Sequence, residues 1–299
     1  MILVIGEVLV DIFPNYTRLG GAPFNFAYHL KHLGFPVRFV SRVGVDDNGR
    51  RLLERITKAG FNPDDIQIDD ARPSGTVRVQ LDQSGVPDFN ITPNVAYDYI
   101  EYLPETHSSL IDNSKLLYFG TLVQRTDHGF TQIQRFLQRK PTGYISLYDI
   151  NLRPNCYSTT AIQASLLNAN VLKLNTDELE ACKAFADNGR DTKTFVRYLM
   201  EKYTLDRVAV TKGSDGSELY TKDECILAAP VPVPSMVDTV GAGDAYAAML
   251  AVGILENWSS QKTVSMAADF ASRLCTIEGA IPESSDFYEP ILEQMRDKG

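Results

Sequence analysis

Paired cysteines, basic clusters and long apolar runs are all missing from this 299-residue sequence. Its four cysteines, Cys156, Cys182, Cys225 and Cys275, are scattered without paired spacing, which excludes a disulfide framework and a zinc-finger site and points to a reducing, cytoplasmic setting. Acidic residues outnumber basic ones, 38 to 29, for a net charge of −9, and no basic run offers the footprint that nucleic acid requires. The longest apolar helical stretch, Ala245 to Leu255, is too short to cross a bilayer, so no membrane partner is expected. The opening MILVIGEVLV lacks a basic leader and carries Glu7, and it reads as a buried strand rather than a signal peptide. No GxxxxGK[ST] is present, which excludes a P-loop enzyme, and the separated glycine loop, lysine and HRD elements of protein kinases are also missing. Internal repeats and low-complexity segments are absent.

What is present is ordinary globular material, 44% apolar and 22% charged. Apolar runs of strand length alternate with amphipathic stretches of helix length. ILVIGEVLV precedes a helical pattern from Ala22 to Leu33; VRFVSRV precedes another from about Asn48 to Lys58, ended by Gly60; KLLYF, YISLYDI, NVLKLN and DRVAVT each adjoin a helical segment. Continuous apolar strands between helices predict an α/β fold with a mostly parallel central sheet covered by helices on both faces. Ser74 to Pro93 breaks the rhythm, with two arms of two-residue period about a turn at Gly85, and DIFPNYTRL can add a strand to them. The expected division is a large body of residues 1–12, 20–72 and 100–299 and a small β-sheet of residues 13–19 and 73–99.

The chemistry concentrates in DTVGAGDAYAAML, Asp238 to Leu250. Gly241, Ala242 and Gly243 directly before a helix bare backbone N–H groups at its positive end, an arrangement that binds phosphate or another anion. Asp244 in the first turn sits beside that anion, placed to take a proton from an attacking hydroxyl. TKGSDGSELY, with Thr211, Gly213 and Gly216, is a strand end with a glycine turn that can border a nucleotide. In NTDEL, Thr176 is the expected N-cap without a capping box, while Asn175 and Glu178 can hold a hydrated magnesium ion. YDINLRP ends a strand with Asp149, Asn151 and Arg153; a forked, permanently charged arginine suits a phosphoryl group at the sheet edge where open α/β folds bind ligands. Asp11 at the end of the first strand and Asn25 in GGAPFNFA offer hydrogen bonds to a polyhydroxylated ligand. His29 and His32 read as a solvated helix face.

In this order, the stretches resemble the ribokinase-like (PfkB) carbohydrate kinases over essentially the whole chain. GGAPFNFA resembles the first family signature and DTVGAGDAYAAML the second. GEVLVD, SRVGVDDNGRRLLE, VAYDYI and DINLRP are similar to segments of bacterial fructokinases, with 2-keto-3-deoxygluconate kinases close behind. The resemblance implies ATP-dependent phosphoryl transfer to a sugar hydroxyl under a β lid, with Asp244 as general base and the amides of Gly241, Ala242 and Gly243 as anion hole. It implies further that Arg153 faces the phosphoryl group, and that Asn175 and Glu178 act around magnesium. Thr211, Gly213, Gly216, Gly279 and Ala280 would border ATP, and Asp11, Gly21 and Asn25 would hold the sugar. Specificity would lie in lid residues Arg78, Gln80, Phe89 and Asn90, Asp238 would lie near a monovalent-cation (K+) site, and the lid edge offers a route to a homodimer. Ribokinase, nucleoside kinase and a non-catalytic sugar-binding regulator are the alternatives. Three departures stand out: Met249 replaces a small residue, Tyr246 a phenylalanine, and Ile150 the proline of DPNLR.

Overall fold

The computed structural model describes residues 1–81, 87–141, 143–186, 189–233 and 235–296, the side chains of 79–81, 87–89 and 185–186 excepted. In chain order the elements are β1 (Ile2–Ile5), β2 (Leu9–Ile12), β3 (Thr17–Gly20), α1 (Ala22–His32), β4 (Val37–Gly44), α2 (Asp47–Lys58), β5 (Ile66–Asp69), β6 (Gly75–Leu81), β7 (Pro87–Ile91), α3 (Pro104–Asp112), β8 (Leu116–Gly120), α4 (Asp127–Gln138), β9 (Ile145–Asp149) and α5 (Thr159–Asn168). The C-terminal half continues with β10 (Val171–Asn175), α6 (Thr176–Ala186), α7 (Thr192–Tyr203), β11 (Arg207–Thr211), β12 (Ser217–Thr221), β13 (Cys225–Ala228), α8 (Ala242–Leu255), α9 (Ser260–Leu274) and α10 (Glu289–Arg296).

Among the described residues nine strands form the large sheet, in the order β13-β12-β11-β10-β9-β8-β1-β4-β5. All neighbours pair in parallel except β11 with β12 and β12 with β13. The two-residue period of a strand explains the layers. On β1, Ile2 and Val4 point into one core with Phe24 and Phe26 of α1, the length of α8, and Phe270 of α9, while Leu3 and Ile5 point into the other with Phe136, Ile162 and Phe195 from α4, α5 and α7. Both faces are buried, so the strands read as unbroken apolar runs. Helix α8 lies deep among α1 and α9, and from Ala245 to Ile254 every residue is buried. Met249 is fully enclosed there, so this departure from the signature fills the core and leaves the cleft unchanged. The same layer corrects the reading of His29, which is wholly buried on the inner face of α1, its Nδ1 2.8 Å from the Tyr288 hydroxyl. Burial lowers its pKa to about 3 and keeps it neutral.

The small sheet has the order β3-β2-β6-β7, with β2 and β6 parallel and the other pairs antiparallel. It takes in Leu9–Ile12, which the sequence reading assigned to the body as part of one long first strand. After Ile5 the chain leaves the large sheet: Gly6 donates to Val40 O (3.1 Å), and β2 then turns to pair with β3 and β6. Asp11 therefore belongs to the small sheet. At the other end, Val95 and Tyr97 are packed into the body's core, so the excursion closes before residue 99. The turn placed at Gly85 lies outside the described residues.

The return of the chain to the body is fixed by a buried ion pair. Arg125 donates through Nε to Asp98 Oδ1 (2.7 Å) and through Nη2 to Asp98 Oδ2 (2.8 Å) and Thr92 O (2.8 Å). Asp98 also accepts from Val95 N (3.1 Å). Removing one member of such a pair strands the other charge in the interior. Asp98→Ala should lower the unfolding free energy by about 3–5 kcal/mol, read from urea denaturation.

Candidate active site

Strand order reverses beside β1, since the chain runs from β1 to β4 on one side and later places β8 on the other. Ligands of open α/β sheets bind outside the carboxyl ends of strands at such a switch point. The ends of β9, β10 and β11, the start of α8, and Asp11 from the small sheet meet there.

Gly241 caps α8 with a left-handed φ of 81°, and a Cβ at this position would lie 2.3 Å from Ala280 Cβ, so only glycine lets the two loops touch. No side chain caps the helix. The Ala242 amide donates to Thr239 O (3.3 Å), whereas among the described residues the amides of Gly243 and Asp244 have no protein acceptor. Of the amides expected to cradle an anion, that of Ala242 is thus occupied within the loop, while among the described residues those of Gly241 and Gly243, and of Asp244 after them, are free of protein acceptors.

Asp244 is half-buried in the first turn, and its Oδ2 accepts from Asn25 Nδ2 at 2.8 Å. Asn25, expected to bind a sugar, here holds the acid, and its own Oδ1 is buried without a partner. Burial pushes the Asp244 carboxyl up to about 7; the Asn25 bond opposes this, Asp149 reinforces it, and the charges of Lys173 and Arg153 pull it back.

Beneath the cradle lies a residue that the sequence reading missed. Lys173, on β10, is buried with Nζ 3.0 Å from Asp149 Oδ1 on β9, and Tyr118 OH donates to Asp149 Oδ2 (3.1 Å). A Cβ at position 243 would come within 3.0 Å of this ammonium. Burial disfavours the ammonium, but Asp149, Glu178 and Asp244 outweigh it and raise its pKa. The available signal was one lysine inside the apolar run NVLKLN, beside a strand that ends in aspartate. Glu7 was also missed as a site residue. It is buried, its Oε2 has no partner, and burial pushes it up to about 7, with Arg153 opposing.

Asn175 and Glu178 do form a capping box, one residue earlier than the Thr176 cap of the sequence reading. Asn175 Oδ1 accepts from Glu178 N (2.8 Å), and Glu178 Oε2 accepts from Asn175 N (2.7 Å). Glu178 Oε1 also accepts from Leu152 N (3.0 Å), tying α6 to the Arg153 segment. Among the described residues no cluster of three His, Cys, Asp or Glu could ligate a metal ion directly. The remaining lone pairs of Glu178 suit a water of a hydrated magnesium ion. Arg153 is exposed at the cleft, and its charge acts on Asp244, Glu7 and Asp11. Ile150 keeps an N–H where proline would have none, and that N–H donates to Lys173 O (3.1 Å). The added hydroxyl of Tyr246 donates to Ser217 Oγ (3.0 Å).

Burial pushes Asp11 up to about 6 against the pull of Arg153 and Arg18. Arg78 pairs with Asn90 and Ile12 in register, while Asp11 pairs with Arg18 and Val77. The pleat therefore directs Arg78 and Asn90 to the face opposite Asp11, and both are exposed, so the expectation that they line the cleft is not met. The side chains of Gln80 and Phe89 lie outside the described residues. Gly21 caps α1 next to Asp11's strand. Thr211 ends β11, and Gly213 and Gly216 form the turn into β12. Gly279 and Ala280 adjoin the start of α8, Gly279 N donating to Asp238 Oδ2 (2.9 Å).

Lys173→Met should raise the Asp244 pKa above about 7, because a nearby cation favouring the carboxylate is lost. Adding Asp149→Asn removes the stranded, repelling carboxylate and should bring it back down. Carboxyl-carbon NMR titration reads both shifts.

Known proteins resemble the chain over nearly its whole length. Fructokinase-2 of Oryza sativa subsp. japonica is 27% identical over 94% of this chain and 90% of its own length. The fructokinase of Salmonella typhimurium is 26% identical over 93% of this chain and 94% of its own. The crystal structure of a fructokinase with bound ATP from Xylella fastidiosa superimposes with a TM-score of 0.85 at 22% identity, covering 99% of both chains. Residues 4–286, from β1 to beyond the loop that meets Gly241, match the pfkB family carbohydrate kinases, and the chain belongs to that family.

Proposed function

We propose that the chain transfers the γ-phosphoryl group of ATP to a primary hydroxyl of a free sugar, with fructose as the acceptor. The observation that carries this reading is Asp244, a carboxyl pushed up to about 7 in the first turn of α8, beside two unpaired amides. A general base near neutrality is ionised at working pH yet basic enough to accept a hydroxyl proton. Asn25 occupies Oδ2, leaving Oδ1 to take the proton. The sugar oxygen attacks the γ-phosphorus as the bond to the bridging oxygen breaks and ADP leaves. The amides of Gly243 and Asp244, with Arg153, bear the charge on the group in transfer. Bound magnesium would neutralise the phosphate oxygens, and Asn175 and Glu178 would hold its water shell. Asp11, facing the cleft from the small sheet, is the side chain suited to the sugar's remaining hydroxyls.

Fructose is supported by the rice and Salmonella fructokinases, which align over nearly the whole chain. A second acceptor, 2-keto-3-deoxygluconate, is favoured by the exposed Arg153, whose side chain among the described residues donates just to the neighbouring Leu152 O (3.2 Å), since a sugar acid needs such a cation.

ADP release measured across fructose, ketodeoxygluconate, ribose, tagatose phosphate and nucleosides should be fastest with fructose. Release with ribose or adenosine alone overturns the assignment. Asp244→Asn should cost about 10²–10⁴ in kcat while ATP still binds in calorimetry. Gly243→Val should lower kcat by crowding the amides over Lys173. In the wild type, kcat/KM should rise with pH through about 7 as Asp244 ionises, then level; a flat profile from about pH 5.5 to 8 argues against this base.

A further inference from the structure

The surroundings of Asp238 do not suit a monovalent metal ion. Such an ion needs converging oxygen atoms, yet this carboxylate is met by N–H donors: Val240 N on Oδ1 (3.0 Å), and Gly279 N (2.9 Å) and Arg18 Nη1 (3.3 Å) on Oδ2. Arg18 comes from β3 of the small sheet. Its Nη2 donates to Glu278 Oε1, and its guanidinium lies 4.8 Å from the Tyr16 ring centroid and 5.4 Å from that of Phe13. On its other side is Gly279, where a Cβ would stand 3.5 Å away.

We infer that Arg18 is the cation at Asp238: the chain supplies from its own small sheet the charge that a monovalent ion would bring, and turnover is independent of K+. The inference rests on the kinase reading for its kinetic consequences only. Asp238 leads through Val240 to Gly241, and Gly241 touches Ala280. Arg18 therefore clamps two loops, 238–241 and 278–280, that set the start of α8. Because Arg18 on β3 also pairs in register with Asp11 on β2, one face of the small sheet carries both the residue suited to the sugar and the residue that clamps the loops before α8. It is a positioning residue, acting through the loops that carry the cradle.

The test compares potassium chloride with tetramethylammonium chloride at equal ionic strength, with two readouts: ADP release, and calorimetric binding of a non-hydrolysable ATP analogue, which needs no sugar. Wild type should differ by less than about twofold between the salts in both. Arg18→Gln should lose about tenfold or more in analogue affinity and in kcat/KM without K+, and K+ should recover most of the loss by binding the vacated carboxylate. Arg18→Lys keeps a charge on the strand and should stay indifferent to K+. Three results overturn the inference: wild type activated more than about fivefold by K+, Arg18→Gln behaving as wild type, or Arg18→Lys as K+-dependent as Arg18→Gln. If no sugar is phosphorylated while analogue binding still follows Arg18, the kinase reading alone fails.

Discussion

The ion pair between Lys173 and Asp149 is the interaction on which the site depends. Neighbouring parallel strands, β9 and β10, bring an acid and a base together in a sheet buried on both faces, where each charge would be prohibitive alone. The ammonium lies under the start of α8, close enough that a Cβ at 243 would stand 3.0 Å from it. Its charge also reaches Asp244 and Glu178. Take it away, and the base, the capping box and the cradle lose their common electrostatic reference.

Around that pair the cleft is tuned by opposition. Burial pushes Asp244 and Glu7 up to about 7 and Asp11 up to about 6, while Arg153 pulls each of them down. The outcome is a set of carboxyls poised near neutrality, the condition for moving protons at physiological pH. A site with the same acids but more water would hold them ionised and poorly basic; one without the arginine would keep them protonated and inert.

Much of this was legible in the residues. Unbroken apolar runs disclosed the doubly covered sheet, and GAGD at a helix start pointed to the amides and the acid that head α8. What escaped notice depends on pairing across the chain. Lys173 means little until β9 stands beside β10, and Arg18 is one more surface cation until β3 is folded over Asp238. His29 looked solvated because periodicity describes one helix and not the two that cover it. The split of the first apolar run into β1 and β2 was invisible, since Val8 to Val10 are as buried in the second setting as in the first. Arg78 and Asn90 were misplaced by a single step of the pleat, a distinction that composition does not carry. At Ile150 the departure from the family pattern became intelligible only through the hydrogen bond to Lys173 O.

The way α1 hangs from the small sheet has a mechanical meaning. Gly20 ends β3, Gly21 caps the helix, and Asn25, in its first turn, grips the carboxylate of Asp244. Five peptide units thus separate the end of the small sheet from the hydrogen bond that opposes the upward shift of the Asp244 pKa. A hydrogen bond that lowers the proton affinity of the Asp244 carboxyl is thus carried by a short, covalently continuous segment running out of the small sheet, which ties the electrostatics of one layer to the backbone of another.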